Sequence, residues 1–133
     1  MLLSKIKTAT QYRLSGAKKL PLDIELSELF MEALYYVCNR CVPQELIREA
    51  GIDTDAVLRN IEDGAFIAIP ETPDFTSLVN HLQIDENLTY ACINYVCFLI
   101  TFRADFKAIA DELIYDYLAN DGREYYVDIQ TTI

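Results

Sequence analysis

The sequence is poor in the residues that several kinds of chemical site require. Its 133 residues include four glycines, four prolines, a single histidine and no tryptophan. So few glycines exclude the glycine-rich loops of the common phosphate-binding proteins. The lone histidine, His81, has no serine or cysteine motif near it, so we interpret it as a surface or loop-packing residue. We therefore expect a protein that is not an enzyme and that carries no cofactor.

Long apolar runs are also absent. Residues 1–10 alternate apolar with basic or hydroxyl side chains, which is not the pattern of a secretory signal. The longest apolar-rich stretch, 89–102, is too short to cross a bilayer and carries Asn94 in its middle, so it predicts a buried helix. Because no secretion signal accompanies the four cysteines, we expect free thiols in a reducing compartment such as a cytosol.

Charge is divided unevenly along a chain whose length and apolar content, 52%, predict one globular domain. Residues 23–133 contain six basic and 21 acidic residues, a net charge of −15. An acidic body repels phosphate, so general nucleic-acid binding is not expected. The basic segment 1–22 either lies on the acidic body of a second copy or is a loose terminus. Its net charge of +5 comes from five residues without any acidic one: Lys5, Lys7, Arg13, Lys18 and Lys19.

Apolar periodicity predicts three main helices. The first begins near Asp23 and follows an apolar stripe: Leu26, Leu29, Phe30, Ala33, Leu34, Val37, Cys38 and Cys41. The second begins at Asp85 or Asn87, ends near Phe102, and should be central because it is apolar nearly all round. The third follows Arg103 and ends at 120–122, with these residues facing inward: Phe106, Ile109, Ala110, Leu113, Ile114, Tyr117 and Leu118.

The segments around these helices are predicted to be short or extended. The content of Ser, Thr and Gly, together with Pro21, predicts an extended arm over 1–22. Pro43 should begin a short second helix that ends at Gly51. Residues 53–69 fit either a helix followed by a strand or a hairpin, with Asp63 and Gly64 in the turn.

Two further segments carry candidate contact residues. The loop 70–81 contains Phe75, Leu78 and Val79, which would be exposed unless something covers them, and such loops often dock on a partner. The tail 125–133 alternates as a strand does, and it could pair with 65–69 or join a neighbouring copy. The predicted fold class is therefore mainly α: a small helical bundle with a short strand or hairpin and extended N- and C-terminal arms. Residues 23–133 would form its single domain.

The motif C-x-x-C at Cys38 and Cys41 is the strongest local candidate for chemistry. A zinc site would need further ligands, but Cys92 and Cys97 are five residues apart on a helix and point in different directions. A redox motif needs a thiol at a helix N-terminus, whereas these two follow a helix end, where the dipole raises the thiol pKa. We interpret all four as reduced core cysteines and expect no metal.

The order of these elements resembles the head–tail connector proteins of tailed bacteriophages, also called adaptor or head-completion proteins. The similarity is one of layout over most of residues 24–120. It includes Leu-Thr-Tyr-Ala-Cys-Ile-Asn-Tyr-Val-Cys at 88–97 and Phe-Lys-Ala-Ile-Ala-Asp-Glu-Leu-Ile at 106–114. The resemblance implies a structural virion protein, assembled in the bacterial cytoplasm, that forms a ring of about twelve copies between portal and tail. DNA would pass through the ring without specific binding.

Charge and exposure, rather than the resemblance, select the expected contact residues. Nine tyrosines and no tryptophan also suit partly wet protein interfaces, although ordinary packing at the rim of a small domain accounts for about half of them. A small cytosolic regulatory or adaptor protein that binds one partner is the alternative function. The expected contacts are Lys5, Lys7, Arg13, Lys18, Lys19, Phe75, Leu78, Tyr125 and Tyr126.

Overall fold

Helices dominate the structure, a computed structural model that describes residues 1–16, 18–77 and 79–122. The helices are α1 (Leu3–Leu14), α2 (Asp23–Cys38), α3 (Glu86–Thr101) and α4 (Ala104–Tyr117). The strands are β1 (Ile47–Glu49), β2 (Val57–Asn60) and β3 (Ala65–Ala68). A 3-10 turn covers Gln44–Leu46, and a π-helical turn, Leu118–Gly122, follows α4. The predicted mainly α class and its three main helices are confirmed.

Helix α3 is the centre of the bundle. It packs on α1, α2 and α4, and most of its length is buried, as its all-round apolar sequence predicts. Its buried Asn94 side chain donates a hydrogen bond of 2.8 Å to the carbonyl oxygen of Tyr90, so this amide is not left without a partner. None of the helices in the described ranges combines the length and apolar character that a bilayer crossing would need.

The N-terminal segment is a helix, so the prediction of an extended arm over 1–22 is wrong. Leu3, Ile6 and Leu14 of α1 are at most 2% exposed and belong to the same core as α2 and α3. Thr10 lies on this buried face, where its hydroxyl donates to the carbonyl oxygen of Ile6 at 2.8 Å. The hydroxyl group therefore interrupts the apolar stripe in the sequence without preventing burial. Pro21 precedes α2 and places no constraint on residues 3–14.

The sheet is antiparallel with the strand order β1-β3-β2. The hairpin alternative for 53–69 is the observed one: β2 and β3 are joined by a turn in which Asp63 and Gly64 both have positive φ. The Ala65 N–H donates to the Glu62 carbonyl oxygen at 3.3 Å, as in a type I′ turn. The short helix predicted to run to Gly51 is only the 3-10 turn, because Ile47 already pairs with Ile67.

Strand β3 is the central strand of the sheet, with β1 on one side and β2 on the other. The tail 125–133, for which pairing with 65–69 and contact with a neighbouring copy were the two possibilities, lies outside the described residues.

Candidate interaction surface

The four thiols are buried and do not form disulfides. Burial raises the pKa of Cys38 and of Cys41 to about 12, and that of Cys97 to about 11. The pKa of Cys92 is also raised by burial. Because the thiolate is the reactive form, these groups are poor nucleophiles at neutral pH. Over 1–16, 18–77 and 79–122, no group of three or more His, Cys, Asp or Glu side chains is placed to hold a metal ion.

An arginine from the sheet holds the C-x-x-C segment at the end of α2. The Nε of Arg59 donates to the carbonyl oxygen of Cys38 at 3.0 Å, and its Nη2 donates to that of Cys41 at 2.8 Å. Carbonyl groups at a helix C-terminus lack partners within the helix and carry the negative end of its dipole, so a guanidinium stabilises them. Arg59 thereby connects β2 to the end of α2, and this connection gives the C-x-x-C segment a structural role.

Asp85 forms a second connection inside the protein. Its carboxylate accepts hydrogen bonds from the N–H groups of Gln44 and Glu45, at 2.9 and 2.8 Å, and from the Tyr117 hydroxyl at 2.8 Å. Burial, and then the hydrogen bond and charge of Asp85, raise the pKa of Tyr117 above its ordinary value. Asp85 thus caps the 3-10 turn and joins it to α3 and α4, instead of capping its own helix.

The predicted basic contacts separate into two groups in the structure. Lys7 forms an ion pair of 2.6 Å with Asp23, and the Arg13 guanidinium lies 5.1 Å from the ring centre of Tyr90. These two cations are occupied by contacts within the molecule. The other three, Lys5, Lys18 and Lys19, are exposed and form no ion pair with any residue in the described part of the chain.

The outer side of α1 presents an exposed aromatic residue near Lys5 and Arg13. Tyr12 is 81% exposed. It borders a shallow depression of about 490 Å³ whose lining is Ser4, Lys5, Thr8, Ala9, Tyr12 and Arg13. An exposed tyrosine among basic side chains is typical of protein-binding surfaces. We define the basic face as Lys5, Tyr12 and Arg13, together with the exposed Lys18 and Lys19 that follow α1 in the chain.

The expected exposure of Phe75 in the loop 70–81 is wrong. Phe75 is 7% exposed and packs on Phe30 of α2, with 5.2 Å between the ring centres. The Ser27 hydroxyl holds the same loop by donating to the carbonyl oxygen of Pro73 at 2.5 Å. The loop covers the apolar face of its own α2, so Phe75 is a core residue and not a contact for a partner.

Three of the expected contact residues lie outside the part of the chain that the structure describes. These are Leu78, Tyr125 and Tyr126. Their roles stay predictions. Val79, which follows Leu78 in the loop, is 75% exposed.

A surface on α4 was not predicted from the sequence. Ile109, which periodicity assigned to the buried side, is 43% exposed, and Tyr115 is 71% exposed. They share one side of α4 with three exposed carboxylates. The available signal was the spacing of the three carboxylates from Ile109, which is four residues for Asp105, three for Glu112 and seven for Asp116. We call this surface the acidic face, defined as Asp105, Ile109, Glu112, Tyr115 and Asp116.

The turn between α3 and α4 holds another unexpected exposed residue. Phe102 is 80% exposed and has a φ of 57°, in the left-handed region. Glycine is the usual residue at such a helix end, because a Cβ atom is strained there. The apolar pattern of α3 gave no indication of this backbone conformation.

Comparison with known proteins does not identify a family. The chain matches no protein-family model, no curated protein and no solved structure. Its function is therefore inferred from the surfaces of the molecule and from the layout of its sequence.

Proposed function

We propose that this chain is a non-enzymatic structural subunit that acts by binding other proteins. The observation that supports this most directly is the basic face. Its Lys5, Lys18 and Lys19 form no ion pair with a carboxylate in the described residues. Residues 23–133 of the same chain have a net charge of −15. Opposite charges on separate surfaces favour association between molecules and select its orientation.

The resemblance in layout makes the proposal more specific. We propose a head–tail connector of a tailed bacteriophage, in which about twelve copies form a ring between the portal and the tail proteins. The acidic body supports this assignment, because a negatively charged channel wall repels DNA phosphates and lets the genome slide.

The structure changes how such a ring would be held together. An extended arm exchanged between copies is not part of the proposal, because α1 is packed into the core of its own subunit. The contacts are instead between the surfaces of folded subunits. Different surfaces that meet head to tail close into a ring when the rotation between copies allows it.

The test is reconstitution with the cognate portal protein that this function requires. The mixture would be sized by mass photometry and imaged by electron microscopy, and we expect rings of this chain seated on the portal. The charge reversal Lys5→Glu should weaken binding by at least about tenfold, since it places an acid on the basic face. The reversal Arg40→Glu, at another exposed position, should leave binding unchanged, with its fold checked by circular dichroism because Arg40 contacts Tyr36 of α2.

Two results would contradict this function. One is a protein that remains free of the portal at every concentration. The other is tight binding of duplex DNA by the purified chain, because a channel wall must not hold the genome. A defined one-to-one complex with a different cytosolic protein would support the small adaptor instead.

A further inference from the structure

The acidic face of α4 is a helix surface without a partner in the described residues. Asp105 pairs with Arg103 at 3.0 Å, whereas Glu112 and Asp116 form no ion pair there. Tyr115 and Ile109 add exposed apolar area between these charges. The surface therefore combines net negative charge with two apolar anchors, as interfaces often do.

The basic face matches this surface in charge and in length. Helices α1 and α4 have 12 and 14 residues, so each is about 20 Å long at 1.5 Å per residue. Lys5 and Tyr12 are seven residues apart, and so are Ile109 and Asp116. If the helices run antiparallel, Tyr12 can lie on Ile109 while Lys5 reaches Asp116, two helical turns away. The antiparallel direction also places the helix dipoles favourably.

We propose that the basic face of one copy docks antiparallel on the acidic face of a second copy. Within one subunit both faces are exposed, so they do not pair with each other. Because the two faces differ, the contact is head to tail, and the pair retains one unused acidic face and one unused basic face, on different subunits, for further copies. This inference rests on the proposed structural function and names the partner of each face.

The decisive experiment uses two single charge reversals in the full chain, Lys5→Glu and Asp116→Lys. Sedimentation velocity would measure self-association at 50 and 500 mM salt over a wide concentration range. The wild type should associate, and more weakly at high salt, because exposed charges are screened. Each variant alone should associate at least about tenfold more weakly, since like charges then face each other.

Mixing the two variants should restore association. In the mixture, Asp116 of the Lys5→Glu variant pairs with Lys5 of the Asp116→Lys variant. At the next contact, the introduced glutamate at position 5 pairs with the introduced lysine at position 116. A matched control mixes Lys5→Glu with the double variant Lys5→Glu/Glu28→Lys, which reverses an exposed acid on α2 and leaves Asp116 unchanged, and this mixture should remain weak. A wild type that is monomeric at its highest soluble concentration, or a mixture without recovery, would overturn the proposal.

A photo-crosslinking amino acid at position 12 identifies what covers the basic face. We expect cross-links to the segment 104–117 of another copy, with the two copies distinguished by isotope labelling. Cross-links to the tail 123–133, or to any other part of the chain, would overturn the assignment.

The outcomes separate this inference from the connector function. Self-association through these faces without portal binding would retain the inference and reject the connector. Portal-bound rings that are weakened by Lys5→Glu but form normally with Asp116→Lys would retain the connector and reject the inference.

Discussion

The helical bundle and the small sheet are stabilised in different ways. The bundle core contains twenty buried side chains in the described residues, contributed by all four helices and by the loop before α3. The core beneath the sheet contains four: Cys38, Val42, Leu46 and Ile67. Polar contacts supplement this small core, namely Arg59 with the end of α2 and Asp85 with the 3-10 turn. Apolar burial thus dominates in the bundle, and polar connections carry a larger share in the sheet.

The largest expected effect comes from the bundle core. Phe30 is fully buried and packs on Phe75. Phe30→Ala should lower the free energy of unfolding by about 3–5 kcal/mol, through lost burial and a cavity. Urea unfolding followed by circular dichroism measures this, and Tyr115→Ala, on the exposed side of α4, should change it by less than about 0.5 kcal/mol. Equal effects from the two variants would contradict the described core.

Alkaline pH should weaken both regions. The ordinary pKa of a thiol is 9.0. Burial raises the pKa of Cys38 to about 12, and it also raises the pKa of Cys92. At a pH between the ordinary pKa and the raised pKa, the thiol is ionised in the unfolded chain and protonated in the folded protein. The free energy of unfolding therefore falls as the pH rises above 9. The slope is about 1.4 kcal/mol per pH unit for each such thiol.

Removing one cysteine at a time compares the two cores in how their stability depends on pH. Cys38→Ala tests the core under the sheet and Cys92→Ala tests the bundle, and each should make the decline of stability with pH less steep. Unfolding midpoints between pH 8 and 11 provide the measurement. An unchanged slope in one variant would mean that water reaches that core.

Removing the arginine connection should loosen the sheet more than the bundle. Arg59→Met keeps the aliphatic part of the side chain and removes both hydrogen bonds to α2, with an expected cost of about 1–3 kcal/mol. Amide hydrogen exchange should accelerate in β2 and β3 more than in α3. The control is Arg103→Met, whose ion pair with Asp105 is exposed and should contribute little. Uniform acceleration across the chain would argue against two regions of different local stability.

The smallest expected effect is a gain in stability at the turn after α3. Phe102→Gly relieves the left-handed backbone conformation and removes an exposed aromatic side chain. The gain should be about 0.5–1 kcal/mol, because the greater freedom of glycine in the unfolded chain offsets part of the relief. Thermal unfolding measures it, with Phe102→Ala as the comparison that keeps the Cβ atom. A loss of stability would show that the Phe102 side chain makes contacts that stabilise the bundle.

The bundle was more predictable from the sequence than the sheet. Helices α2, α3 and α4 were recognised because apolar residues recur along them at helical spacing. Helix α1 was missed because a threonine occupies its buried side, and an internal hydrogen bond that the sequence does not reveal makes this possible. Strand β1 was missed because its three residues are too few to show alternation, and its pairing depends on β3, sixteen or more residues later.

The candidate surfaces were predictable only in part. The basic charges of 1–22 were visible in the sequence, but which of them remain unpaired depends on the positions of Asp23 and Tyr90. Phe75 was assigned to the surface because its partner, Phe30, is distant in sequence. The exposure of Ile109 was missed because this residue lies at the margin of an apolar stripe. At that position, apolar periodicity does not distinguish a buried residue from an exposed one.

The burial of α1 has a consequence for how fast subunits can assemble. Releasing Leu3, Ile6 and Leu14 from the core would cost about 1.5–3 kcal/mol for each side chain, a total similar to the whole stability of many small domains. Domain swapping of α1 would therefore require nearly complete unfolding and would be slow. Subunits that meet through preformed surfaces need no such step, and their association is expected at ordinary docking rates of about 10⁵–10⁷ M⁻¹s⁻¹.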